Sequence, residues 1–420
     1  MKVFKFGGAS VNSVDRIKNV ASILQNYSNE HLVVIISAMG KTTNALEKVA
    51  EAFYAGNKEQ AISLFHTIRD QHLTTAKYLL VKNYNQCYTQ LNDFFTEVEW
   101  LLHDKPQREF DYYYDQVVCV GELLSTAIVS HYLNEVNVTN QWLDVRDIIR
   151  TDDNFRDATV DWNYTSERIQ HLISDSNPSS NIYLTQGFIG STDENESTTL
   201  GREGSDYTAA IFANLLNAES LTIWKDVEGV MSADPKEFPE ATFISELSFN
   251  EVIEMAYYGA QVIHPKTIKP LQNKNIPLHV KCFVDPSLPG TTIANKKIKN
   301  LPPIVVIKQN QVLMHLHSQD FSFVGEKPMS RLYEIFAQLK FKPNLIQTGA
   351  ISVQLCLDDR SDKINQLASY AAEIFDVDVE KGLSLLTIRH FNKELLDKMM
   401  QGKQLLLQQE TTDTVQVIFK

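Results

Sequence analysis

Cysteine is scarce in this chain, with four in 420 residues, at positions 87, 119, 282 and 356. They form no C-x-x-C pair and have no His at ligand spacing, which argues against a disulfide framework or a local zinc site. They read as reduced, mostly buried thiols of a cytoplasmic protein. A surplus of positive charge is also missing: 39 Lys and Arg face 52 Asp and Glu, a formal net charge of −13. Nonspecific nucleic-acid binding is therefore not expected. No apolar run is read as long enough to span a bilayer, so no membrane partner is expected. No leader is read either, because a strand-like run starts at residue 2. What remains is a soluble, globular composition, 43% hydrophobic and 22% charged. The length exceeds one ordinary core and implies two or three domains. An acidic protein that handles a polyanion must concentrate cations locally, so single Lys and Arg residues in glycine-rich settings carry weight.

The first dozen residues supply such a setting. The apolar strand Val3-Phe4-Lys5-Phe6 runs into Gly7-Gly8-Ala9-Ser10, and helical periodicity follows from Val14. Two glycines at a strand-to-helix turn let a ligand approach the backbone, and the free N–H groups there favour a phosphate. Lys5 ends the strand beside them. Residues 31–37 form a second, continuous apolar strand, as in a buried parallel sheet. The stretch 45–135 is almost wholly helical, and strand signals return at 141–145, 182–185, 221–224 and 276–282. Strands alternating with helices predict a parallel sheet covered on both faces. A charged, then Pro-rich segment at 295–304 reads as a linker. Beyond it, short strands and helices spell a βαββαβ unit followed by an abbreviated second one.

Several segments carry chemistry. Gly40-Lys41-Thr42-Thr43 is not a P-loop, because the glycine required five residues earlier is Ile35. It reads as a hydroxyl-bearing loop at the carboxyl edge of the sheet, where ligands bind in open α/β folds. Gly121-Glu122-Leu123 begins a helix, and Glu122 there reads first as dipole complementation. In Leu200-Gly201-Arg202-Glu203-Gly204-Ser205-Asp206-Tyr207, an Arg in a glycine loop suits a bidentate grip on a carboxylate or phosphate. Asp206 reads as the N-cap of a helix from Tyr207. The run from Ile223 to Lys236 is a strand-end loop rich in Lys and Asp. His264 at a helix exit reads as a packed or backbone-bonded histidine rather than a base.

Taken in order, Lys5–Ser10, Ser37–Thr43, Gly121-Glu122-Leu123, Thr185–Gly190, Gly201–Tyr207, Trp224–Gly229 and Gly259–Pro265 resemble the aspartate kinases of the amino-acid kinase family. The likeness covers residues 1–295, and the tail resembles a degenerate pair of ACT domains. It implies an α/β amino-acid kinase fold over 1–298, an αβα sandwich around a mainly parallel sheet. A C-terminal α+β ACT-like regulatory region is implied over 299–420. It implies transfer of the ATP γ-phosphoryl group to the β-carboxylate of L-aspartate, with Mg²⁺ arriving on the nucleotide. Lys5 and Asp206 would be catalytic, Asp206 orienting Lys5. Thr43, Glu122, Arg202 and Ser205 would bind the amino acid, Arg202 at its α-carboxylate and Glu122 at its α-ammonium. Gly7, Gly8 and Ser10 would donate to the phosphates, and Lys225, Asp226, Met231, Lys236, Gln261 and Val262 would line the nucleotide pocket. The tail implies a lysine or threonine effector, with Thr348 as its contact, and a homodimer formed through the ACT-like modules. The alternatives are a same-fold kinase of another amino acid such as glutamate, or a catalytically silent amino-acid sensor.

The sequence departs from the family pattern at several points. Ala9 replaces a Thr beside the phosphates, and Met231 replaces a frequent Tyr. Glu203 stands where Gly is common, and is expected to point outward. Gly349 and Ala350 bring no side-chain donors to the effector stretch and the second module is abbreviated, so the expectation is a reduced effector site or none. Gln261 stands where many relatives carry a Lys that meets the nucleotide, with Lys225 or Lys236 compensating at weaker ATP affinity. Gln261→Lys is accordingly expected to lower the KM for ATP; an unchanged value in steady-state kinetics would refute the missing-charge reading.

Overall fold

The computed structural model describes residues 1–174, 181–260 and 262–420. The chain forms two compact units. The larger is built on an eight-stranded sheet in the order Glu246–Ser248, Thr291–Ala294, Leu278–Cys282, Leu221–Lys225, Lys2–Phe6, Leu32–Ile36, Ile182–Gln186, Gln141–Leu143. Every neighbouring pair is parallel except Leu278–Cys282 with Thr291–Ala294. All five residues of Leu32–Ile36 are buried. Successive side chains point to opposite faces, so both faces are covered.

The strand Lys2–Phe6 lies in the middle of the order. The chain first adds Leu32–Ile36 on one side of it and later returns to add Leu221–Lys225 on the other. That reversal opens a crevice beyond the carboxyl ends of the strands. Phe4 and Phe6 anchor the strand in the core. Phe6 stacks on Trp224 at 5.9 Å, and Phe4 meets the same indole edge-on at 5.8 Å. The helix Val14–Gln25 follows, with Ser13 Oγ accepting the Arg16 N–H at 3.3 Å as its N-cap.

The long helical stretch resolves into Thr42–Tyr54, Lys58–Leu79, Tyr84–His103, Phe110–Val118 and Val120–Glu135. The second and third pack against each other through Phe65 and Phe95. The Glu135 carboxylate accepts the N–H groups of Val81, Lys82 and Asn83 at the entry to Tyr84–His103. The expectation about apolar runs needs correction here. Phe110–Val118 and Val120–Glu135 run on through Cys119, and residues 110–135 are long and apolar enough to cross a membrane by length and composition. The apolar window is 83% buried inside the protein, because this is a core helix that packs on the strands Leu32–Ile36 and Ile182–Gln186. All four cysteines are free and buried.

The smaller unit is one antiparallel six-stranded sheet: Leu345–Thr348, Ser352–Asp358, Ile304–Ser318, Phe375–Arg389, Thr414–Phe419, Leu405–Glu410. Two strands expected as short pieces are 15 residues each. Bulges at Lys308/Gln311 and Gln311/Leu313 interrupt their pairing, and Asn310 (φ 54°) and Gly382 (φ 74°) sit at the bends. The periodicity breaks there, which is why each long strand reads as a fragment in the sequence. The helices Glu326–Gln338 and Ser361–Ala371 pack on one end of the sheet around Met314, Leu316, Leu355 and Phe336. The helix Lys393–Met400 packs on the other around Leu386, Ile388 and Val417. The second module thus borrows the first half of Ile304–Ser318 as a strand. The single boundary at 298/299 omits Met231–Ile244 and a stretch from Glu254, both grouped with this unit. Val305 N–H donates to Ser232 O at 2.8 Å and Arg389 pairs with Glu254 at 3.2 Å. These pairings join residues far apart in the chain and leave no compositional mark.

Candidate active site

At the crevice, the turn after Lys2–Phe6 becomes a short 3₁₀ helix, Gly8–Val11. The Gly40 N–H donates to Gly8 O at 2.9 Å, joining this turn to the loop after Leu32–Ile36. A Cβ on Gly8 would lie 2.6 Å from Ala38 O and 3.0 Å from Gly40 O, so only glycine lets the two backbones approach this closely. Lys5 Nζ lies beside this turn and pairs with Asp206 Oδ1 at 2.7 Å; the side chains are only 12% and 5% exposed.

Asp206 arrives from the helix Gly204–Leu215, which starts three residues earlier than its periodicity suggests. Asp206 is therefore not the N-cap. Glu203 holds that position in the left-handed region (φ 54°), and Ser205 and Asp206 occupy the buried first turn. Gly187 permits the approach, since a Cβ there would meet Ser205 Cβ at 2.5 Å. Nor does Glu203 simply point outward, because its Oε2 accepts the His264 N–H at 3.0 Å. That tie holds the carboxylate at the start of Pro265–Asn273, where negative charge is favourable. His264 Nδ1 accepts the Lys266 N–H as the cap of that helix, a backbone-bonded histidine as read.

Glu122 also departs from the dipole reading, because Val120–Glu135 continues a preceding helix and offers no open terminus. Its carboxyl is 2% exposed and faces the crevice. Oε1 accepts the Ala38 N–H at 3.3 Å, and Oε2 has no partner among the described residues. Burial is the main cause that pushes this carboxyl up to about 8, with the Ala38 N–H and the Lys5 charge pulling the other way. A buried carboxyl with one unpaired oxygen suits a cationic ligand group.

These groups meet in a cavity of about 430 Å³. It brings together Lys5, Gly8, Thr43, Glu122, Arg202, Ser205 and Asp206. Gly7, Ser10, Lys225, Asp226 and Val262 are not in its lining. Gly7 lies directly against it, a Cβ there falling 3.5 Å from Lys5 Nζ. Lys225 Nζ donates to Val262 O at 2.6 Å. Met231, Lys236 and Thr348 belong to the smaller unit, where Thr348 is exposed on an edge strand. Gln261 lies outside the described residues. The cavity also takes in Tyr114, Arg156, Phe188 and Thr199, which sequence reasoning missed. One signal for them was available: Asp115 interrupts an apolar helix, and a buried acid needs partners. Its carboxylate accepts the N–H groups of Arg156 (3.0 Å) and Thr199 (2.8 Å) and the Thr199 hydroxyl (2.7 Å).

Comparison with known proteins agrees with this fold. Residues 1–282 match the Amino acid kinase family. The lysine-sensitive aspartokinase 3 of Escherichia coli is 32% identical over 397 residues, 92% of this chain and 86% of that protein. The chloroplastic aspartokinase 2 of Arabidopsis thaliana is 30% identical over 403 residues, 92% and 73%. The crystal structure of E. coli aspartokinase III with aspartate and ADP matches with a TM-score of 0.83 and 28% identity, covering all of this chain and 96% of that one. The chain belongs to the amino acid kinase family, on its aspartokinase branch.

Gly8→Ala is expected to force the Gly7–Ser10 turn from the Ala38–Gly40 loop and so weaken nucleotide binding. Calorimetric titration with ADP should give at least a ~10-fold weaker Kd, as for loss of one or two charge-assisted contacts.

Proposed function

We propose that this protein transfers the γ-phosphoryl group of ATP to the β-carboxylate of L-aspartate, giving 4-phospho-L-aspartate and ADP. The observation that carries this reading is one cavity lined by the Lys5–Asp206 pair, the half-satisfied Glu122 carboxyl and the Arg202 guanidinium. A carboxylate of pKa ~3.9 is already ionised at neutral pH, so no general base is needed. The barrier lies in bringing that anion up to a triphosphate, so catalysis is positioning and charge neutralisation. A carboxylate oxygen forms the new bond to the γ-phosphorus as the bond to the bridging oxygen breaks, and ADP leaves with the electron pair. Lys5 neutralises the transferring oxygens, and Asp206 keeps its ammonium beside the Gly7-Gly8 turn. Glu122 takes the α-ammonium and Arg202 the α-carboxylate; Thr43 and Ser205 add hydrogen bonds. Gly7, Gly8 and Ser10 face the phosphates. Among the described residues no group of three His, Cys, Asp or Glu could hold a metal ion, so Mg²⁺ would be carried by the nucleotide, where it would offset the phosphate charge. Lys225, Asp226, Met231, Lys236, Gln261 and Val262 are kept as the nucleotide pocket on family resemblance.

An amino-acid effector is part of the proposal. The smaller unit has a cavity of about 270 Å³ lined in part by Ser318, Asp320, Ser322 and Glu373. Two carboxylates in that lining suit a cationic amino acid such as lysine better than threonine. Thr348 is not in this lining, so its effector role rests on resemblance alone. The sheet edges Leu345–Thr348 and Leu405–Glu410 are the surfaces through which we expect two copies to pair.

In a coupled ADP-release assay, L-aspartate is expected to drive turnover, and Lys5→Ala to lower kcat by ~10²-fold or more, as when one preorganised electrostatic donor is lost. Wild-type release that does not depend on aspartate would sink the assignment. Glu122 adds a pH dependence. Below about 8 its carboxyl is mainly protonated and neutral in the free protein, whereas an ammonium partner requires the ionised form. Aspartate affinity should therefore fall as pH drops below about 8, approaching ~10-fold per unit, and level off above it. Binding at pH 7 should release close to one proton, measured by calorimetry in buffers of different ionisation enthalpy; Glu122→Gln should abolish that release.

A further inference from the structure

Arg156 lines the cavity but has no part in the roles described so far. Its backbone sits at φ 70°, a conformation that residues with a Cβ rarely adopt. The buried Asp115 carboxylate holds it there through the Arg156 N–H. The guanidinium carbon lies 4.3 Å over the Tyr114 ring and 5.7 Å from that of Phe110. Ion pairs to Asp111 (3.3 Å) and Glu47 (3.5 Å) steady it from the helices Phe110–Val118 and Thr42–Tyr54. These contacts fix the plane of the group without using all five of its N–H donors.

The charges around the cavity say what those donors serve. Its cations are Lys5, Arg156 and Arg202, and its carboxylates Glu122, Glu203 and Asp206. Lys5 is committed to Asp206, and Glu203 to the His264 amide. Glu122 leaves one oxygen open for an ammonium. Arg202, and the Arg156 donors that its pairs with Asp111 and Glu47 leave over, then remain for the anionic end of the amino acid. Tyr114, with Arg156 over its ring, lines the same cavity as Glu122. A guanidinium that shares the cavity with the ammonium's receptor is placed to meet an anionic group of the same ligand.

We propose that Arg156 is a second binding residue for the acceptor's α-carboxylate, working beside Arg202 and setting the preference for acceptors that carry that group. This rests on the reading of the cavity as an aspartate site. It also accounts for an arginine kept in a backbone conformation that glycine would adopt freely.

The test uses Arg156→Gly, which removes the guanidinium while suiting the local φ, and Arg156→Lys, which keeps the charge without the fork. The full-length variants are compared with wild type for kcat, for the KM values of L-aspartate and ATP, and for the inhibition constant of 3-aminopropanoate, which is aspartate without its α-carboxylate. Arg156→Gly should raise the aspartate KM by ~10-fold or more, the scale of a lost charge-assisted contact. The ATP KM and the 3-aminopropanoate constant should stay within about two-fold of wild type, since neither ligand brings an α-carboxylate. The lysine variant should recover part of the loss, and the thermal midpoint of the glycine variant should not fall. An unchanged aspartate KM in Arg156→Gly, or an equal loss with 3-aminopropanoate or ATP, overturns the assignment while wild type still turns over aspartate. A wild type that does not use aspartate takes down the reading of the site itself, and this inference with it.

Discussion

The ion pair between Lys5 and Asp206 is the interaction on which the site depends. Both side chains are nearly buried, and a buried pair is stable only when each charge keeps its partner and its geometry. Keeping that geometry requires the strand Lys2–Phe6 to lie inside the sheet and the helix Gly204–Leu215 to begin beside its carboxyl end. Two glycines make this possible. Gly8 lets the turn after Lys2–Phe6 touch the loop after Leu32–Ile36, and Gly187 lets the helix terminus approach the turn after Ile182–Gln186. The fold therefore delivers an ammonium to the crevice at a fixed place, with a carboxylate behind it to hold it there.

Around that pair, the cavity answers the problem set by an acidic chain that must seat anionic ligands. The net charge of −13 is spread over the whole molecule, while the cavity lining holds three cations against three carboxylates. Two of those carboxylates are occupied inside the protein, by Lys5 and by the His264 amide. The third, Glu122, is desolvated and half-satisfied, a state that suits a positive group. Local pairing, rather than net charge, decides what the crevice accepts.

The buried Asp115 shows how another part of the lining is held. It has three hydrogen bonds to Arg156 and Thr199, yet burial still pushes its carboxyl up to about 6. Such a group rigidifies the segments it bridges, and both of those segments line the cavity. In the smaller unit the same economy of parts appears in the sheet, where one long strand serves two modules and a bulge marks the change between them.

Much of this was legible in the chain itself. Strand and helix periods and the glycine turns were enough for the parallel sheet and the α+β tail, because these depend on local backbone chemistry. Lys5, Thr43, Glu122, Arg202, Ser205 and Asp206, which line one cavity, were singled out by resemblance, and the local readings of Glu122 as a dipole partner and Asp206 as an N-cap did not hold. Other features were not legible. The first turn of Gly204–Leu215, the tie of Glu203 to His264, the merged strands of the tail and the Asp115–Arg156–Thr199 cluster all join residues distant in sequence, and neither period nor composition records which partner a side chain finds. Local sequence determined what each segment would be and which chemical groups it carried. Tertiary packing alone decided which of those groups would lose their water and face one another, because desolvation and hydrogen-bond geometry exist only once the segments have met.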